Sequence, residues 1–322
     1  VIILCIVYQV QTDKPQSCCK SSYSNSLCQE QVMSRRIQRR QFVKASAALA
    51  VGSVLPMSGQ GSDANARLRT AHVGVGGMGG SDLKSVSSHS GVEVAALCDV
   101  DANILKEAAA KFPNARTFRD YREMISGMGD TIDACVVSTP DHTHAPAAMT
   151  AMNHGKPVYC QKPLTHEVFE ARQLRLVAEK KGLVTQMGIQ ASAGLPYRRA
   201  TQMIQSGVIG KVNRVLAWSY KNWGYDGPVF TKFDDIPKNL DWDLWLGTAA
   251  IRSFKKGVYH RGAWRKQIDF GTGTLGDMGV HIFDTPYRAL ALTSPTWAKT
   301  TCRKPTGVGH PETNIVEYEF PG

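Results

Sequence analysis

Between residues 67 and 188 the chain alternates short apolar runs with segments in which apolar residues recur every three or four positions. The runs have the length of strands and the periodic segments have the length of helices. The predicted strands are 68–75, 92–98, 117–118, 132–138, 157–160 and 183–187, and the predicted helices are 102–111, 120–126, 145–154 and 167–181. Strands that alternate with helices in this way indicate a doubly wound parallel sheet of the α/β Rossmann class.

From residue 189 the pattern changes. One helix is predicted at 197–206, and strands are predicted at 212–220, 295–302 and 314–320. This mixture indicates an α+β domain built on a second sheet. We therefore divide the chain into an N-terminal extension (1–66), an α/β domain (67–188) and an α+β domain (189–322).

The first 66 residues carry the features of an export signal. Arg39-Arg40 is followed by Gln-Phe-Val-Lys, by an apolar stretch at 45–55 and by the small-residue sequence Ala64-Asn65-Ala66. This order matches a twin-arginine signal peptide with a cleavage site, and the apolar stretch is too short to span a bilayer. We therefore expect an exported, periplasmic protein with no stable membrane insertion after cleavage. Because a start at Met33 would begin with this signal, we also expect residues 1–32 to be absent from the natural protein.

Composition and charge exclude some functions. The chain is 43% hydrophobic and 20% charged, as is usual for a soluble globular protein. Its net charge of +11 is scattered rather than gathered in a basic stripe with interleaved aromatics, so nucleic-acid binding is not expected. An anionic cofactor or substrate fits this charge. The eight cysteines show no C-x-x-C pair and no metal-ligand spacing, and we interpret Cys98, Cys135 and Cys160 as buried apolar residues.

A glycine-rich turn follows the first predicted strand. Its sequence, Gly74-Val75-Gly76-Gly77-Met78-Gly79, fits G-x-G-x-x-G and precedes a helical segment. Glycines at this spacing let backbone N–H groups approach a pyrophosphate at a helix N-terminus. The next predicted strand ends in Asp99, 20 residues after Gly79, where a carboxylate accepts hydrogen bonds from an adenosine ribose. Val100 and Asp101 offer no cation for a 2′-phosphate, so the sequence favours NAD over NADP.

Two further predicted strands end in Thr139-Pro140 and Gln161-Lys162. Ligands of doubly wound sheets bind outside the carboxyl ends of the strands, so both dipeptides should face the same crevice as the glycine-rich turn. We therefore interpret Lys162 as a positioned acid rather than a loosely tethered surface amine. Pro163, directly after Lys162, would restrict the backbone of the turn at the end of this strand.

The stretch "GTGTLGDMGVHIFD" contains the strongest candidates for catalytic residues in the second half of the chain. Asp277 and His281 are four positions apart, so on a helix they share a face. This pair suits general acid–base work, in which the imidazole moves a proton and the carboxylate orients it. A structural histidine capped by an aspartate is the alternative. A metal site would need a third ligand such as Asp284, and the pattern matches no metal motif.

Aromatic residues gather in the loops of the second half. Five of the six tryptophans lie between Trp218 and Trp264, in "WSYKNWGYDGP", "LDWDLWLG" and "GVYHRGAWRK". Aromatic faces beside polar edges suit sugar rings, and tryptophans in loops also form local cores. Both interpretations are open at this point.

Three blocks of sequence resemble one family. The glycine-rich turn with Asp99, "STPDHTHAPAAMTAMNHGKPVYCQKP" and "GTGTLGDMGVHIFD" are together similar to the glucose–fructose oxidoreductase / inositol dehydrogenase / MocA family over residues 67–320. The resemblance implies a Rossmann domain and a C-terminal domain with an open antiparallel sheet for substrate binding and oligomerisation. It implies catalytic roles for Lys162, Asp277 and His281. The cofactor-binding residues that it implies are Gly74, Gly76, Gly77, Met78, Gly79, Asp99, Thr139, Pro140, His144, Gln161 and Lys162.

The expected reaction is NAD(P)-dependent hydride transfer at a sugar or polyol, catalysed by a homo-oligomer. His281 would take the hydroxyl proton, Lys162 would hydrogen-bond the reacting oxygen, and Asp277 would orient His281 or bind a neighbouring hydroxyl. The chain departs from the family in two respects. Gln161 stands where the family motif has glutamate, and the chain ends at "NIVEYEFPG", within the expected sheet, so we expect it to be incomplete. Two alternatives are an NAD-dependent glycoside hydrolase of the same fold and a non-catalytic dinucleotide or sugar sensor.

Overall fold

The computed structural model describes residues 2–8, 67–304 and 306–321. The predicted twin-arginine motif, the alternative start at Met33 and the predicted cleavage site lie outside these residues. The strands, in chain order, are β1 (Ile2–Tyr8), β2 (Leu68–Val73), β3 (Val92–Cys98), β4 (Arg116–Phe118), β5 (Ala134–Val137), β6 (Val158–Gln161), β7 (Thr185–Gly188), β8 (Arg214–Ser219), β9 (Trp297–Cys302) and β10 (Asn314–Phe320). The α-helices are α1 (Met78–Ser87), α2 (Ala102–Ala109), α3 (Tyr121–Met128), α4 (Asp141–Asn153), α5 (Val168–Lys181), α6 (Leu195–Gln205), α7 (Trp242–Leu246) and α8 (Gly273–Ala289). Two 3₁₀ turns lie at Gly129–Thr131 and Ala263–Lys266.

Six strands form one sheet in the order β4-β3-β2-β5-β6-β7. Every neighbouring pair in this sheet is parallel, which confirms the predicted Rossmann class. Helices cover both faces of such a sheet, so β5 ("ACVV") is apolar throughout. Cys98, Cys135 and Cys160 are buried in or beside its core. Burial raises the pKa of the Cys135 thiol to about 12, which makes it a packing residue rather than a nucleophile.

Local capping explains where several helices begin. The Asp120 carboxylate accepts a hydrogen bond from the backbone N–H of Arg122 at 2.8 Å, so α3 begins at Tyr121. Glu167 and Glu170 form a capping box in front of α5, in which the Glu167 N–H donates to the Glu170 carboxylate at 2.9 Å. Helix α4 begins at Asp141, four positions earlier than predicted. It thus starts directly at the carboxyl end of β5, where a ligand can approach its N-terminus.

The second sheet has the order β8-β1-β10-β9. Strand β10 pairs antiparallel with β9, and β8 pairs antiparallel with β1, whereas β1 and β10 are parallel. The sheet therefore has the expected antiparallel pairs, with one parallel pair added by β1. Its β1 comes from the segment that we had expected to lie outside the fold. The physical reason is that "IILCIVY" is an unbroken apolar run with the composition of a central strand, and it pairs with neighbours on both sides.

Helix α8 packs against this second sheet and carries two of the predicted catalytic residues. Val316 of β10 is buried against Leu275, Ile282 and Phe283 of the helix. These contacts fix the rotation of α8 about its axis, and with it the direction of Asp277 and His281. Within the described ranges, no helix is both long and apolar enough to cross a bilayer.

Candidate active site

A cavity of about 520 Å³ lies at the carboxyl ends of β2, β3, β5 and β6 and extends to α8. The sequence-predicted residues that line it are Gly74, Gly76, Gly77, Met78, Asp99, Thr139, Pro140, His144, Gln161, Lys162, Asp277 and His281. Gly79 lies behind the turn, where a Cβ atom would collide with the carbonyl of Gly74. The residues predicted from three separate blocks of sequence therefore meet in one cavity, apart from Gly79, which lets the turn close.

The glycine-rich turn has the shape that a dinucleotide requires. Gly74 has φ +80°, and its N–H donates to the carbonyl of Cys98 at 2.8 Å. A Cβ there would lie 2.7 Å from the carbonyl oxygen of Ser138, so only glycine fits. Gly77 has φ +52° and faces open space, directly before α1. Backbone N–H groups at this helix N-terminus can therefore approach a pyrophosphate.

Asp99 is held beside the turn by two backbone hydrogen bonds. One carboxylate oxygen accepts from the N–H of Val75 and the other from the N–H of Asp101, each at 3.0 Å. Burial raises the pKa of Asp99, and these two hydrogen bonds oppose that change. Each oxygen keeps a lone pair, so the side chain can still accept from ribose hydroxyls.

Lys162 and Asp277 form a buried ion pair across the cavity. The Lys162 ammonium donates to Oδ1 of Asp277 at 2.6 Å and to the Asp277 carbonyl at 3.1 Å. The indole Nε1 of Trp223 donates to the other carboxylate oxygen at 2.7 Å. Burial acts to raise the pKa of Asp277, but the hydrogen bond and charge of Lys162, with the charges of Arg265 and Lys221, lower it overall. Asp277 is therefore ionised at neutral pH.

His281 lies one turn further along α8 and is half-buried. Burial, and next the positive charge of Lys162, lower its pKa, so the imidazole is neutral at pH 7. Within the described residues no hydrogen bond to its ring is found. In the part of the chain that the structure describes, no hydrogen bond joins Asp277 to His281, and the two oxygens of Asp277 accept from Lys162 and Trp223 instead. The other expected role of Asp277, binding a neighbouring hydroxyl, stays a prediction. The His281 ring nitrogens are left for a ligand.

Gln161 supports Lys162 from behind. Its amide nitrogen donates to both carboxylate oxygens of Asp82, at 3.0 and 2.9 Å. Its amide oxygen accepts from the Lys162 N–H at 3.2 Å and from Gln190 at 3.0 Å. Asp82 also accepts from the Ser138 hydroxyl at 2.7 Å. The glutamine is thus one member of a buried network that joins α1, β5 and β6.

His144 lines the cavity but is engaged by the protein itself. One ring nitrogen lies 2.7 Å from the carbonyl oxygen of Pro163, and the other lies 2.8 Å from that of Thr139. The ring is buried. It therefore ties the turn after β6 to the end of β5, which fixes the position of Lys162 relative to the cofactor-binding edge.

Several cavity residues were not singled out from the sequence: Gln190, Lys221, Trp223, His260, Arg261 and Arg265. Five of them lie in the aromatic loops "WSYKNWGYDGP" and "GVYHRGAWRK", which were the available signal. The local-core interpretation holds for two of the tryptophans, and the sugar-binding interpretation stays a prediction. Trp223 faces Asp277 in the cavity, while Trp242 and Trp245 stack at 5.0 Å within a buried aromatic cluster.

The candidate third metal ligand, Asp284, faces away from this chemistry. Its carboxylate accepts from the Ser192 hydroxyl at 2.9 Å and lies 3.5 Å from Arg288. Among the residues that the structure describes, no three His, Cys, Asp or Glu side chains are grouped to hold a metal ion.

Comparison with known proteins agrees with this geometry. Residues 68–189 match an oxidoreductase family model described as an NAD-binding Rossmann fold, and residues 194–293 match the C-terminal alpha/beta domain of the same family. The inositol 2-dehydrogenase of Rhodococcus jostii is 32% identical over 149 residues, which are 45% of this chain and 40% of the relative. A glycosyl hydrolase family 109 protein of Shewanella putrefaciens is 28% identical over 205 residues, 55% of this chain and 44% of the relative. The chain spans less than half the length of these curated relatives.

One solved structure shares the fold over most of the chain. GenD2 from gentamicin A biosynthesis, in complex with NAD, superposes with a TM-score of 0.55 at 20% identity over 80% of this chain and 67% of that chain. The parallel sheet, the glycine-rich turn and Asp99 define the N-terminal domain as an NAD-binding Rossmann domain. The chain belongs to the glucose–fructose oxidoreductase / inositol dehydrogenase / MocA family.

Proposed function

We propose that this protein is an NAD-dependent oxidoreductase that transfers hydride between the nicotinamide and a sugar or polyol carbon. The observation that carries the proposal is that an ammonium, an ionised carboxylate and a neutral imidazole, from Lys162, Asp277 and His281, converge in the cavity that the glycine-rich turn opens onto. The inositol 2-dehydrogenase relatives support a polyol or sugar as the substrate. NAD, when bound, accepts or supplies the hydride.

His281 acts as the general base in the oxidative direction. Because burial and the Lys162 charge lower its pKa, its neutral form can accept the hydroxyl proton as the carbonyl forms. In the reductive direction the protonated ring returns that proton to the oxygen. No protein group competes for this nitrogen within the described part of the chain.

Lys162 stabilises the reacting oxygen. An ammonium has three N–H donors, and two of them point to the carboxylate and the carbonyl of Asp277. The third is left for a substrate oxygen, on which negative charge develops as the proton leaves. A donor already held in place stabilises that charge without further reorganisation.

Asp277 acts through Lys162. Its carboxylate holds the ammonium at 2.6 Å, and Trp223 holds the carboxylate in turn. It is therefore a positioning residue for Lys162, and not a relay for His281. This differs from the arrangement that the i, i+4 spacing suggested.

A second candidate is glycoside hydrolysis on the same site. It is favoured by the similarity to a glycosyl hydrolase family 109 protein over 55% of this chain. Such an enzyme would oxidise its substrate transiently, eliminate the leaving group, add water to the resulting double bond and then reduce the ketone. It would show no net change in the nicotinamide and would release a leaving group from an aryl glycoside.

The deciding experiment follows absorbance near 340 nm while sugars and polyols are added to the full chain with NAD. A sustained rise with one substrate, absent in the His281→Ala variant, is the expected result. NAD binding, measured separately by calorimetry, should be retained in that variant. Release of nitrophenol from an aryl glycoside without a sustained rise would favour the hydrolase. NAD binding with neither activity across both panels would favour the sensor.

We also propose that the protein is exported in folded form by the twin-arginine route. The support is the order of Arg39-Arg40 and the apolar stretch at 45–55; the proposal concerns the export route and does not include removal of β1. Replacement of both arginines by lysine should retain the protein in the cytoplasmic fraction. Equal periplasmic recovery of the two forms would contradict the proposal.

A further inference from the structure

The substrate end of the cavity holds more positive charge than the proposed reaction uses. Three cations share the single carboxylate of Asp277. Lys162 lies 2.6 Å from Oδ1, Arg265 3.5 Å from Oδ1, and Lys221 3.6 Å from Oδ2. One negative charge cannot neutralise three positive ones. Lys162 makes the short hydrogen bond, so Lys221 and Arg265 are the uncompensated pair.

The other carboxylates that line the cavity do not remove this excess. Asp99 lies at the cofactor end, where it accepts from backbone N–H groups of Val75 and Asp101. Asp141 is buried and accepts from the backbone and the hydroxyl of Thr272, at 3.1 and 2.9 Å. Burial raises the pKa of Asp141, which the charge of Arg265 only partly opposes.

The remaining cavity-lining arginines differ from Arg265 in having carboxylates of their own. Arg119 lies 3.6 Å from Asp241, and Arg261 lies 3.9 Å from Asp101. The excess charge is therefore local to α8 and the two loops that face it, where the substrate would bind.

Lys221 and Arg265 are held in place by aromatic rings. The Lys221 ammonium lies 5.7 Å from the ring centroid of Trp223. The Arg265 guanidinium lies 5.5 Å from the same ring and 4.2 Å from that of Trp264. Cation–π contacts at these distances are attractive, and Trp223 is itself fixed by its bond to Asp277. The two cations thus form a preorganised anion-binding pair beside Lys162 and His281.

We infer that the substrate is an anionic sugar or polyol derivative, whose carboxylate or phosphate binds Lys221 and Arg265 while Lys162 and His281 engage the hydroxyl that is oxidised. The inference rests on the proposed function for the reaction, and on the charge arrangement for the substrate class. An arginine fork and a lysine point charge together suit an oxyanion. A neutral polyol would leave both cations to share the single carboxylate of Asp277 with Lys162.

Calorimetric titration of the full chain tests the inference without turnover. The probes are D-glucuronate, D-galacturonate and D-glucose 6-phosphate, each set against its neutral parent sugar at equal ionic strength. We expect at least one acid or phosphate to bind about tenfold more tightly than its parent, which is the usual gain from hydrogen bonds to charged groups. The two uronates test for a site that binds a carboxylate, and D-glucose 6-phosphate tests for one that binds a phosphate. Equal affinity within every pair, or binding by no probe, overturns the inference.

Three variants test whether Lys221 itself binds the anion, or whether the overall positive charge of the protein raises the affinity. Lys221→Met should lose about tenfold in affinity for the anion and leave that for the neutral parent unchanged. Lys221→Arg, which keeps the positive charge, should retain the affinity for the anion. Lys180→Met removes the same charge from the exposed face of α5 and should change neither affinity. Loss of anion affinity in Lys180→Met equal to that in Lys221→Met would contradict the assignment.

Failure of the inference and failure of the proposed function give different results. Anion binding that depends on Lys221, without any change at 340 nm, would retain the anion site and reject the oxidoreductase. A sustained rise at 340 nm with a neutral sugar, unaffected by Lys221→Met, would retain the oxidoreductase and reject the anion site.

Discussion

The Lys162 ammonium lies 2.6 Å from Oδ1 of Asp277, although the two residues are 115 positions apart in the chain. Both side chains are largely buried, with 11% and 5% of their surfaces exposed. The pair joins the end of β6 to α8, and therefore joins the Rossmann domain to the helix that carries His281. The geometry of this pair therefore determines how Lys162 is placed relative to His281, the proposed base.

The first prediction is that Asp277→Asn lowers the free energy of unfolding by about 3 kcal/mol, the usual effect of breaking a buried ion pair. The amide keeps an acceptor but leaves three cations without a negative charge. Urea unfolding at neutral pH measures the change. The matched control is Glu179→Gln, which breaks the exposed pair with Arg175, in which 62% and 60% of the two side chains are exposed. Exposed pairs contribute little, so an equal loss in both variants would contradict the prediction.

The second prediction concerns the pH dependence of oxidation. The pKa of His281 is lowered, chiefly by burial and next by the charge of Lys162. The neutral base therefore persists to lower pH than for an ordinary histidine, whose pKa is about 6.5. We expect kcat/KM to be independent of pH near neutrality and to fall only as the pH drops below that value.

A substitution that removes the charge of Lys162 tests the cause of this shift. Lys162→Met should move the acid limb of the residual activity toward higher pH, because one of the three effects that lower the pKa of His281, namely burial and the charges of Lys162 and Lys221, is then absent. The profile of kcat/KM against pH measures it. An acid limb that does not move, or a limb that survives in His281→Ala, would show that another group titrates.

The third prediction concerns the glycine-rich turn. A Cβ on Gly79 would collide with the backbone carbonyl of Gly74, which cannot move aside. Gly79→Ala should therefore disturb the turn and weaken NAD binding in calorimetric titration. Gly127, inside α3, faces open space, so Gly127→Ala should leave NAD binding unchanged and raise stability by about 0.5–1 kcal/mol. NAD affinity that is equal in both variants would contradict this role of the turn.

Much of the fold could be predicted because the pattern was local. The strands at 92–98 and 314–320 have the predicted bounds. The first is a largely apolar run, and in the second Val316, Tyr318 and Phe320 alternate with glutamates. Helix α7 was not predicted, because Trp242–Leu246 is too short for a period of 3.6 to show. Strand β1 was misjudged, since only its pairing with β8 and β10 makes that segment part of the domain.

The candidate site, like the fold, could be predicted only in part. The spacing of Asp277 and His281 placed both on one face of a helix, and the structure agrees. Spacing along one helix says nothing about the segment opposite, and this is why Lys162 was not predicted as the partner of Asp277. Trp223 and Arg265 reach the carboxylate from loops without a periodic pattern. Tertiary contacts of this kind determine the roles within a site, whereas local sequence determines which residues are available.

The last prediction concerns Gln161, which stands where the family motif has glutamate. In this chain the amide donates to both oxygens of Asp82, at 3.0 and 2.9 Å. Gln161→Glu would remove the donor and set two buried carboxylates against each other. Like charges at this distance cannot both ionise without cost. We expect a lower urea midpoint and a weaker proposed NAD-dependent oxidoreductase activity, since Gln161 also accepts from the Lys162 N–H.

Exchanging the carboxylate and the amide between positions 82 and 161 should restore the stability that Gln161→Glu loses. In Asp82→Asn/Gln161→Glu the amide lies on α1 and the carboxylate on β6, so one donor and one anion again face each other. We expect the double variant to recover most of the stability that Gln161→Glu loses, with a coupling energy of about 1–3 kcal/mol in a double-mutant cycle. Losses that simply add would show that the two side chains act independently. Recovery would explain the departure from the family motif, because the negative charge is retained in the network and is carried by Asp82 instead of residue 161.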